Sequence, residues 1–170
     1  MNIGNSRFAE RVNLCIAIKP IDFSGGANAG DWVSLKGYER CAIILVGKVG
    51  TSGTDLTVTL NQAQNVAGLN SKALTAITHV DTKEGADLLA IGQYTGVDQA
   101  AASTYTFANN EQLDQIYVLD IQGTDLDKDN NYDCLQISVN QGSAAKLITA
   151  LYALYDPKFG SDPLPSAIID

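Results

Sequence analysis

The sequence predicts an all-β domain, an antiparallel β-sandwich of the jelly-roll type with about eight strands. Apolar and polar residues alternate with a period of two in several short segments, which is typical of strands with one buried face. Glycine, asparagine and aspartate residues separate these segments. The chain shows no regular alternation of strands with helices, and this disfavours a parallel α/β sheet.

The first strands are predicted near the N-terminus. Large apolar residues recur at every second position, as Val12, Leu14, Ile16 and Ile18, with smaller or polar residues between them. Pro20 ends the strand because proline cannot donate a ladder hydrogen bond. Residues 23–30 are rich in glycine and predict an open loop. A short strand is expected at 32–35.

The middle of the chain combines clear and unclear patterns. The continuous apolar run 41–46 predicts a strand buried on both faces. The glycine-rich residues 47–53 are expected to connect it to a strand at 56–60 as a long hairpin. Residues 73–80 favour a further strand because they are rich in threonine and β-branched residues. Residues 82–112 carry no clear period, and we expect an irregular or partly helical insertion there.

The last third of the chain returns to strand patterns. Strands are predicted at 115–121, 134–139 and 147–155. The Leu, Ala and Tyr residues of 147–155 also suit a helix, and their alternation favours the strand. We therefore expect a single sandwich domain over 1–155 and an extended C-terminal tail over 156–170, whose three prolines disfavour regular structure. Such a tail either packs along its own domain or reaches a neighbouring subunit.

Charge and hydropathy exclude several classes of partner. The chain has 11 Lys and Arg residues against 19 Asp and Glu residues, and its net charge is −8. Such a surface repels phosphate, so no nucleic-acid partner is expected. Membrane spans need about 18 consecutive apolar residues, and the sequence has no such run. Because the N-terminus also lacks a hydrophobic signal core, we expect a protein made in the cytoplasm and not processed.

The residues used in metal binding and catalysis are scarce. Cys15, Cys41 and Cys134 are odd in number and far apart, which predicts buried, reduced thiols rather than disulfides. His79 is the only histidine, and on a strand it is expected to be a surface or hydrogen-bonded residue. The glycine-rich residues 47–53 precede a strand rather than a helix, so they do not indicate a phosphate site. We expect no enzymatic activity and no cofactor.

One acidic segment deserves a separate interpretation as a metal site. A carboxylate or carboxamide stands at every second position, as in the first half of an EF-hand loop. The carboxylates are Asp125, Asp127, Asp129 and Asp133, and the carboxamide is Asn131. The sixth position of that motif is Asn130 instead of glycine, and the twelfth is Gln136 instead of glutamate. We therefore predict a solvated acidic hairpin without metal, and a looser calcium loop is the weaker alternative.

Several segments carry a resemblance to a known family. They are 30–38 (GDWVSLKGY), 58–63 (VTLNQA) with 66–68 (VAG), 126–134, 151–159 (LYALYDPKF) and 164–168 (LPSAI). Together they resemble the small β-rich head decoration, or cement, proteins of tailed bacteriophages, and residues 82–112 lie outside the resemblance. These motifs are structural rather than chemical.

The resemblance implies a non-enzymatic viral structural protein, located in the virion, that binds the outer surface of a mature tailed-phage capsid and stabilises it. The implied partners are the lattice of the major capsid protein and further copies of the chain, as a dimer or trimer. Candidate partner-binding residues are an aromatic in the glycine-rich loop, the single tryptophan and apolar residues of the tail: Phe23, Trp32, Phe159, Leu164, Ile168 and Ile169.

Two alternative functions fit the same composition. One is another virion component, at the neck, the tail or the base of a head fibre. The other is a jelly-roll module that binds carbohydrate, assisted by calcium at the acidic segment 125–133.

Overall fold

A computed structural model describes residues 7–48, 55–85, 93–107, 114–140, 147–159 and 164–168. Within these residues the chain forms twelve strands and four short 3-10 turns. The strands are β1 (Asn13–Asp22), β2 (Asn28–Ala29), β3 (Val33–Ser34), β4 (Tyr38–Lys48), β5 (Leu56–Ala63), β6 (Lys72–Ala73), β7 (Ile77–Glu84), β8 (Thr95–Ala102), β9 (Thr104–Phe107), β10 (Asp114–Gln122), β11 (Cys134–Val139) and β12 (Leu147–Pro157). The turns are Phe8–Glu10, Phe23–Gly25, Gly123–Asp125 and Lys128–Asn130.

The strands form two antiparallel sheets. Sheet I has the order β1-β12-β4-β10-β7-β8. Sheet II has the order β2-β11-β5-β6, with β3 also paired to β11 and β9 also paired to β5. The small strands β2 and β3 together occupy one strand position beside β11. These pairings confirm the predicted all-β antiparallel sandwich.

The order of the strands is that of a jelly roll. Eight strand positions alternate between the sheets along the chain except at β5 and β9, which pair with each other in sheet II. The set β1-β12-β4-β10 therefore faces the set made by β2 and β3, β11, β5 and β9. The strands β6, β7 and β8 are inserted between β5 and β9, and the hairpin of β7 and β8 widens sheet I. Twelve strands are present where about eight were predicted because β2, β8 and β9 were not predicted, and the strand predicted at 73–80 forms two strands, β6 and β7.

The core lies between the sheets and is built by the alternation of each strand. Leu56, Val58 and Leu60 of β5 are fully buried, and the residues between them are half-buried on the outer face. The same pattern in β10 buries Leu119 and Ile121. All these residues belong to one cluster that includes both sheets. Each such side chain stabilises the fold by about 1.5–3 kcal/mol through its burial.

The expected helical or irregular insertion over 82–112 is wrong in its described parts, which are strands. Residues 95–102 form β8, whose side chains are mostly exposed on both faces. Its sequence therefore does not alternate between apolar and polar residues as a strand with one buried face does. Residues 104–107 form β9, which fills a jelly-roll position beside β5. Residues 86–92 and 108–113 lie outside the described residues.

The predicted hairpin of 41–46 with 56–60 is also wrong. The first segment belongs to β4 in sheet I and the second to β5 in sheet II, so they face each other across the core instead of pairing. Strand β4 pairs with β10 and β12. Its run is not buried on both faces, since Cys41, Ile43 and Leu45 are buried whereas Val46 is 39% exposed.

The three cysteines are free thiols, but they differ in burial. Cys41 and Cys134 are buried as predicted, and burial raises the pKa of the Cys41 thiol. Cys15 is only half-buried, so the prediction is wrong for this residue, because β1 is an edge strand of sheet I. In the described part of the chain no helix is long and apolar enough to span a membrane.

Candidate partner-binding surfaces

The C-terminal segment 164–168 packs on its own domain. The Tyr38 hydroxyl donates a hydrogen bond to the carbonyl of Pro165 at 2.6 Å. The backbone N–H of Ser34 donates to the carbonyl of Ala167 at 2.7 Å. Because Tyr38, Ser34 and Ala167 are all buried, these bonds fix the segment against β3 and the start of β4. Of the two placements left open for the tail, this segment takes the one on its own domain.

Gly37 lies where two stretches of the C-terminal region meet. A Cβ atom on Gly37 would lie 2.9 Å from the Cβ of Pro165, so the close approach of the segment requires glycine. The Lys158 N–H donates to the Gly37 carbonyl at 3.0 Å. The next residue, Phe159, is 73% exposed, and Ile168 is 64% exposed. We call Phe159, Leu164 and Ile168 the tail surface.

The other predicted partner-binding residues lie elsewhere. Trp32 is half-buried and packs on the turn at Gly68, where a Cβ would lie 2.8 Å from the indole nitrogen. Gly68 also has a φ of +79°, which favours glycine. Trp32 is therefore a packing residue of the β5–β6 connection. The side chain of Phe23 and the whole of Ile169 lie outside the described residues.

The segments that carry the family resemblance converge beside the tail surface. Strand β3 pairs with β11 through Ser34 and Cys134, and β11 pairs with β5 through Cys134 and Ala63. The Leu35 N–H donates to the Asp133 carbonyl at 2.8 Å. Segments that are far apart in the sequence thus build one end of the sandwich together.

Tyr152 connects the two sheets at this end. Its hydroxyl accepts a hydrogen bond from the Ile137 N–H of β11 at 2.8 Å and donates one to the Asp31 carbonyl at 3.0 Å. The side chain is fully buried, and burial raises the pKa of the phenol. The neutral hydroxyl is therefore a structural group that joins β12 to sheet II.

The acidic segment 125–133 is folded by internal contacts. The Asp127 carboxylate forms a salt bridge with Lys72 and accepts two hydrogen bonds from the Asn130 amide at 2.9 Å. Lys72 and Asn130 hold the pKa of Asp127 below its usual range. The Asp125 carboxylate accepts a hydrogen bond from the Gln122 N–H at 2.8 Å, which ends β10 in a 3-10 turn.

These acidic residues do not converge on one point. Asp133 accepts a hydrogen bond from the Cys134 thiol at 3.2 Å, whereas Asp129 is exposed. In the described ranges no group of three or more His, Cys, Asp or Glu side chains is placed to hold a metal ion. The arrangement is a hydrogen-bonded acidic turn that connects β10 of sheet I to β11 of sheet II, so the predicted hairpin is wrong: the two flanking strands do not pair with each other.

His79 belongs to a charged cluster on sheet I. Its Nδ1 lies 2.5 Å from an Asp98 carboxylate oxygen on β8, and its Nε2 lies 3.2 Å from Asp81 on β7. Asp98 first, and then Asp81, raise the pKa of the imidazole. Both ring nitrogens face carboxylates, so the cluster favours a charged imidazolium in an ion pair across two strands.

The outer face of sheet I is a further surface, which was not predicted from the sequence. Ile16 of β1, Leu151 of β12, Ile44 of β4 and Val118 of β10 are successive partners in register and form one apolar row. The flanking rows add Leu14, Ala153 and Ala42 on one side and Val46 and Ile116 on the other. We call these nine residues the apolar face.

The apolar face is open to solvent at its margins. Ile16 is 56% exposed and Leu14 49% exposed, and the central residues are half-buried by their neighbours in the sheet. Arg40 and Asp120 form a salt bridge at one end of the face, where Tyr155 donates to Asp120 at 2.7 Å. The missed signal was the apolar run 41–46, whose outward residues were interpreted as core.

Comparisons with known proteins give few matches. No family model matches the chain, and no curated protein matches it. Among solved structures, the chain aligns with a family two carbohydrate esterase from Cellvibrio japonicus at 10% identity and a TM-score of 0.26, over 87% of this chain and 36% of that chain.

Two structures of infectious bursal disease virus also align. The Gx strain structure has 12% identity and a TM-score of 0.25, over 94% of this chain and 45% of that chain. The T=1 particles derived from the virus have 12% identity and a TM-score of 0.27, over 94% and 43%. The chain thus spans less than half the length of these structures. Alignments at this level carry no functional argument, and the jelly-roll assignment rests on the strand order.

Proposed function

We propose that the chain is a non-enzymatic structural protein of a virion, which binds the outer surface of a mature tailed-phage capsid and stabilises it. The observation that carries this proposal is the tail surface, where Phe159 and Ile168 stay exposed on two stretches that hydrogen bonds hold against the domain. Lys158, next to Phe159, bonds to Gly37, and the segment 164–168 bonds to Ser34 and Tyr38. The tail surface lies at the end of the sandwich built by the segments that resemble decoration proteins.

The tail surface is held in a fixed position, which favours the binding of a partner protein. Ser34 and Tyr38 hold the segment 164–168 before any partner is met. A partner then does not need to order the segment, which removes part of the entropic cost of association. Large apolar side chains on an ordered support are the usual anchors of a protein interface.

Charge supports the same role. A net charge of −8 keeps an abundant outward-facing protein soluble and away from packaged DNA. A protein that binds the expanded shell more tightly than the unexpanded one stabilises the expanded state by the difference in binding free energy. This role requires binding at many lattice positions and no bond chemistry.

Co-sedimentation with capsid shells tests this proposal. The purified protein is mixed with expanded and with unexpanded shells. Both are assembled from the major capsid protein of the phage whose genome encodes this chain. We expect saturable binding to expanded shells, and a loss of binding for the double variant Phe159→Ser, Ile168→Ser.

A matched control keeps the test specific to the tail surface. Tyr94 is 53% exposed and precedes β8 in sheet I, away from Gly37, so Tyr94→Ser is expected to bind as the native protein does. Failure to bind either shell would overturn the proposal. Equal binding to unexpanded shells would overturn the recognition of the mature lattice.

A further inference from the structure

We propose that the apolar face of sheet I packs against the same face of a second copy of this chain, giving a symmetric dimer. This inference does not rest on the proposed capsid role, because the tail surface and the apolar face are different parts of the molecule. It rests on the composition, size and charge of the outer face of sheet I.

The two outer faces of the sandwich differ in composition. On sheet II the outward side chains of the central strands are hydroxyls and amides: Thr57, Thr59 and Asn61 of β5, Gln136 and Ser138 of β11, and Thr104 and Thr106 of β9. On sheet I the corresponding row is Ile16, Leu151, Ile44 and Val118. A sandwich that meets water on both sides alternates polar residues outward in both sheets. Sheet I departs from that rule and sheet II does not.

The outer face of sheet I has the area that a stable dimer needs. Six strands spaced ~4.8 Å apart and the nine residues of β10 rising ~3.3 Å each span roughly 29 by 30 Å. This area is close to the ~800 Å² that each partner contributes to an interface of standard size. The apolar rows extend from the β1 edge across β12 and β4 to β10. Charged residues border them at one end, on β4 and β10, and on the side of β7 and β8.

The charges of the face allow a copy to approach. Arg40 and Asp120, at one end of the apolar face, neutralise each other in a salt bridge. On the β7 side, His79 lies between Asp81 and Asp98. Lys83 is the next residue of β7 after Asp81 that faces outward. These groups cancel when His79 is charged, and the exposed Asp114 of β10 adds one negative charge. The described part of the face therefore carries little of the net charge of −8.

In a twofold symmetric dimer, both copies use the same surface, so the apolar face of one copy contacts the apolar face of the other. A face of one charge would repel itself in such a contact, whereas a neutral apolar one is complementary to itself. Two sheets packed in this way lie about 10 Å apart with their apolar side chains in contact, as inside a β-sandwich. These properties favour a second copy over a charged partner.

Sedimentation equilibrium of the purified chain without shells tests this inference. We expect the native protein to be a dimer at micromolar concentration and the Ile16→Lys variant to be a monomer. The dissociation constant should rise roughly 100-fold or more, because each dimer would bury two unpaired ammonium groups. Ile16 is 56% exposed on an edge strand, so the variant should retain the β-sheet circular dichroism of the native protein.

Two further variants make the result decisive. Leu14→Lys, on the same strand, is expected to give the same monomer if Ile16→Lys does not fold. Leu69→Lys adds the same charge at a residue that is 52% exposed in the β5–β6 connection, and it should remain a dimer. A native protein that stays monomeric at 100 μM, or any assembly that survives both β1 substitutions, would overturn the inference. If the native protein is a monomer and the Ile16→Lys variant no longer binds shells, the apolar face contacts the shell instead of a second copy. That result would also overturn the inference.

Discussion

Two carboxylates determine the charge of the one histidine. Because Asp98 and Asp81 raise the pKa of His79, the folded state binds a proton more tightly than the unfolded state, in which the pKa is near 6.5. The resulting stabilisation is fully present below pH 6.5, and it is lost as the pH rises through the folded pKa. The exposed position of the ring in water keeps this contribution small.

Proton NMR titration of the imidazole tests this arrangement. We expect a His79 pKa above 6.5 in the native protein and a pKa closer to 6.5 in Asp98→Asn. Asp81→Asn, the matched control, should lower the pKa less, because its oxygen lies 3.2 Å from the ring rather than 2.5 Å. A native pKa at or below 6.5 would contradict the ion pairs seen in the structure.

The environments of two residues, His79 and Trp32, could not be predicted from the sequence. The position of His79 on a strand follows from its neighbours in the sequence, but its partner Asp98 is brought to it by pairing between β7 and β8. Trp32 is an aromatic in a polar context, yet it packs on Gly68, which is far away in the chain. Contacts between distant segments decide both environments, and a single sequence does not record them.

At the scale of elements, one hydroxyl joins β12 to sheet II. Replacing Tyr152 with phenylalanine leaves the buried Ile137 N–H and the Asp31 carbonyl without this partner. We expect Tyr152→Phe to lower the free energy of unfolding by about 1–3 kcal/mol in urea denaturation, the usual penalty for an unpaired buried polar group. Tyr155→Phe should cost less than about 1 kcal/mol, because its hydroxyl meets Asp120 at the surface. Equal losses in both variants would contradict this assignment.

The C-terminal segment supports a second prediction at this scale. Deleting residues 160–170 leaves β12 complete but removes the acceptor of the buried Ser34 N–H. We expect a folded protein, a free energy of unfolding lower by about 1–3 kcal/mol, and weaker binding to shells. Ile168→Ser keeps the backbone bonds, so it should retain stability and lose only binding. Ala167 is also a member of the core cluster, and an unfolded deletion variant would show that the sandwich cannot fold without this segment.

The strands themselves were predictable where one face is buried. The alternation in β5, β10 and β11 reports directly which side chains enter the core. Strand β8 was missed because most of its side chains are exposed, so no burial pattern selects its residues. The strands that pair with β4 were not predicted, because the alternation of buried residues shows which face of a strand enters the core. The alternation does not show which strands lie beside it.

At the scale of the whole molecule, the fold class followed from strands and turns, but the unequal outer faces did not. Ile44 and Val46 are apolar, as core residues are, and only the position of β4 in sheet I places them outside. A short apolar run in a sequence is compatible with a core or an interface, because both exclude water. The surface proposed to pair two copies was therefore predicted as interior.

The distribution of charge gives a last prediction for the proposed dimer. Each copy has a net charge of −8, whereas the charged residues beside the apolar face are of both signs and include the ion pair of Arg40 with Asp120. Two copies therefore repel each other through the rest of their surfaces, and salt screens this repulsion over a Debye length that falls from ~30 Å at 0.01 M to ~8 Å at 0.15 M. We expect the dissociation constant, measured by sedimentation equilibrium, to fall roughly threefold or more over this range.

A charge variant separates this effect from other effects of salt. Asp129 is exposed in the acidic turn, outside sheet I, and Asp129→Lys changes the net charge from −8 to about −6 without touching the apolar face. Its dissociation constant should depend less on salt than that of the native protein. If salt instead weakened the dimer, ion pairs across the interface would hold the copies together. That result would contradict pairing through the apolar face.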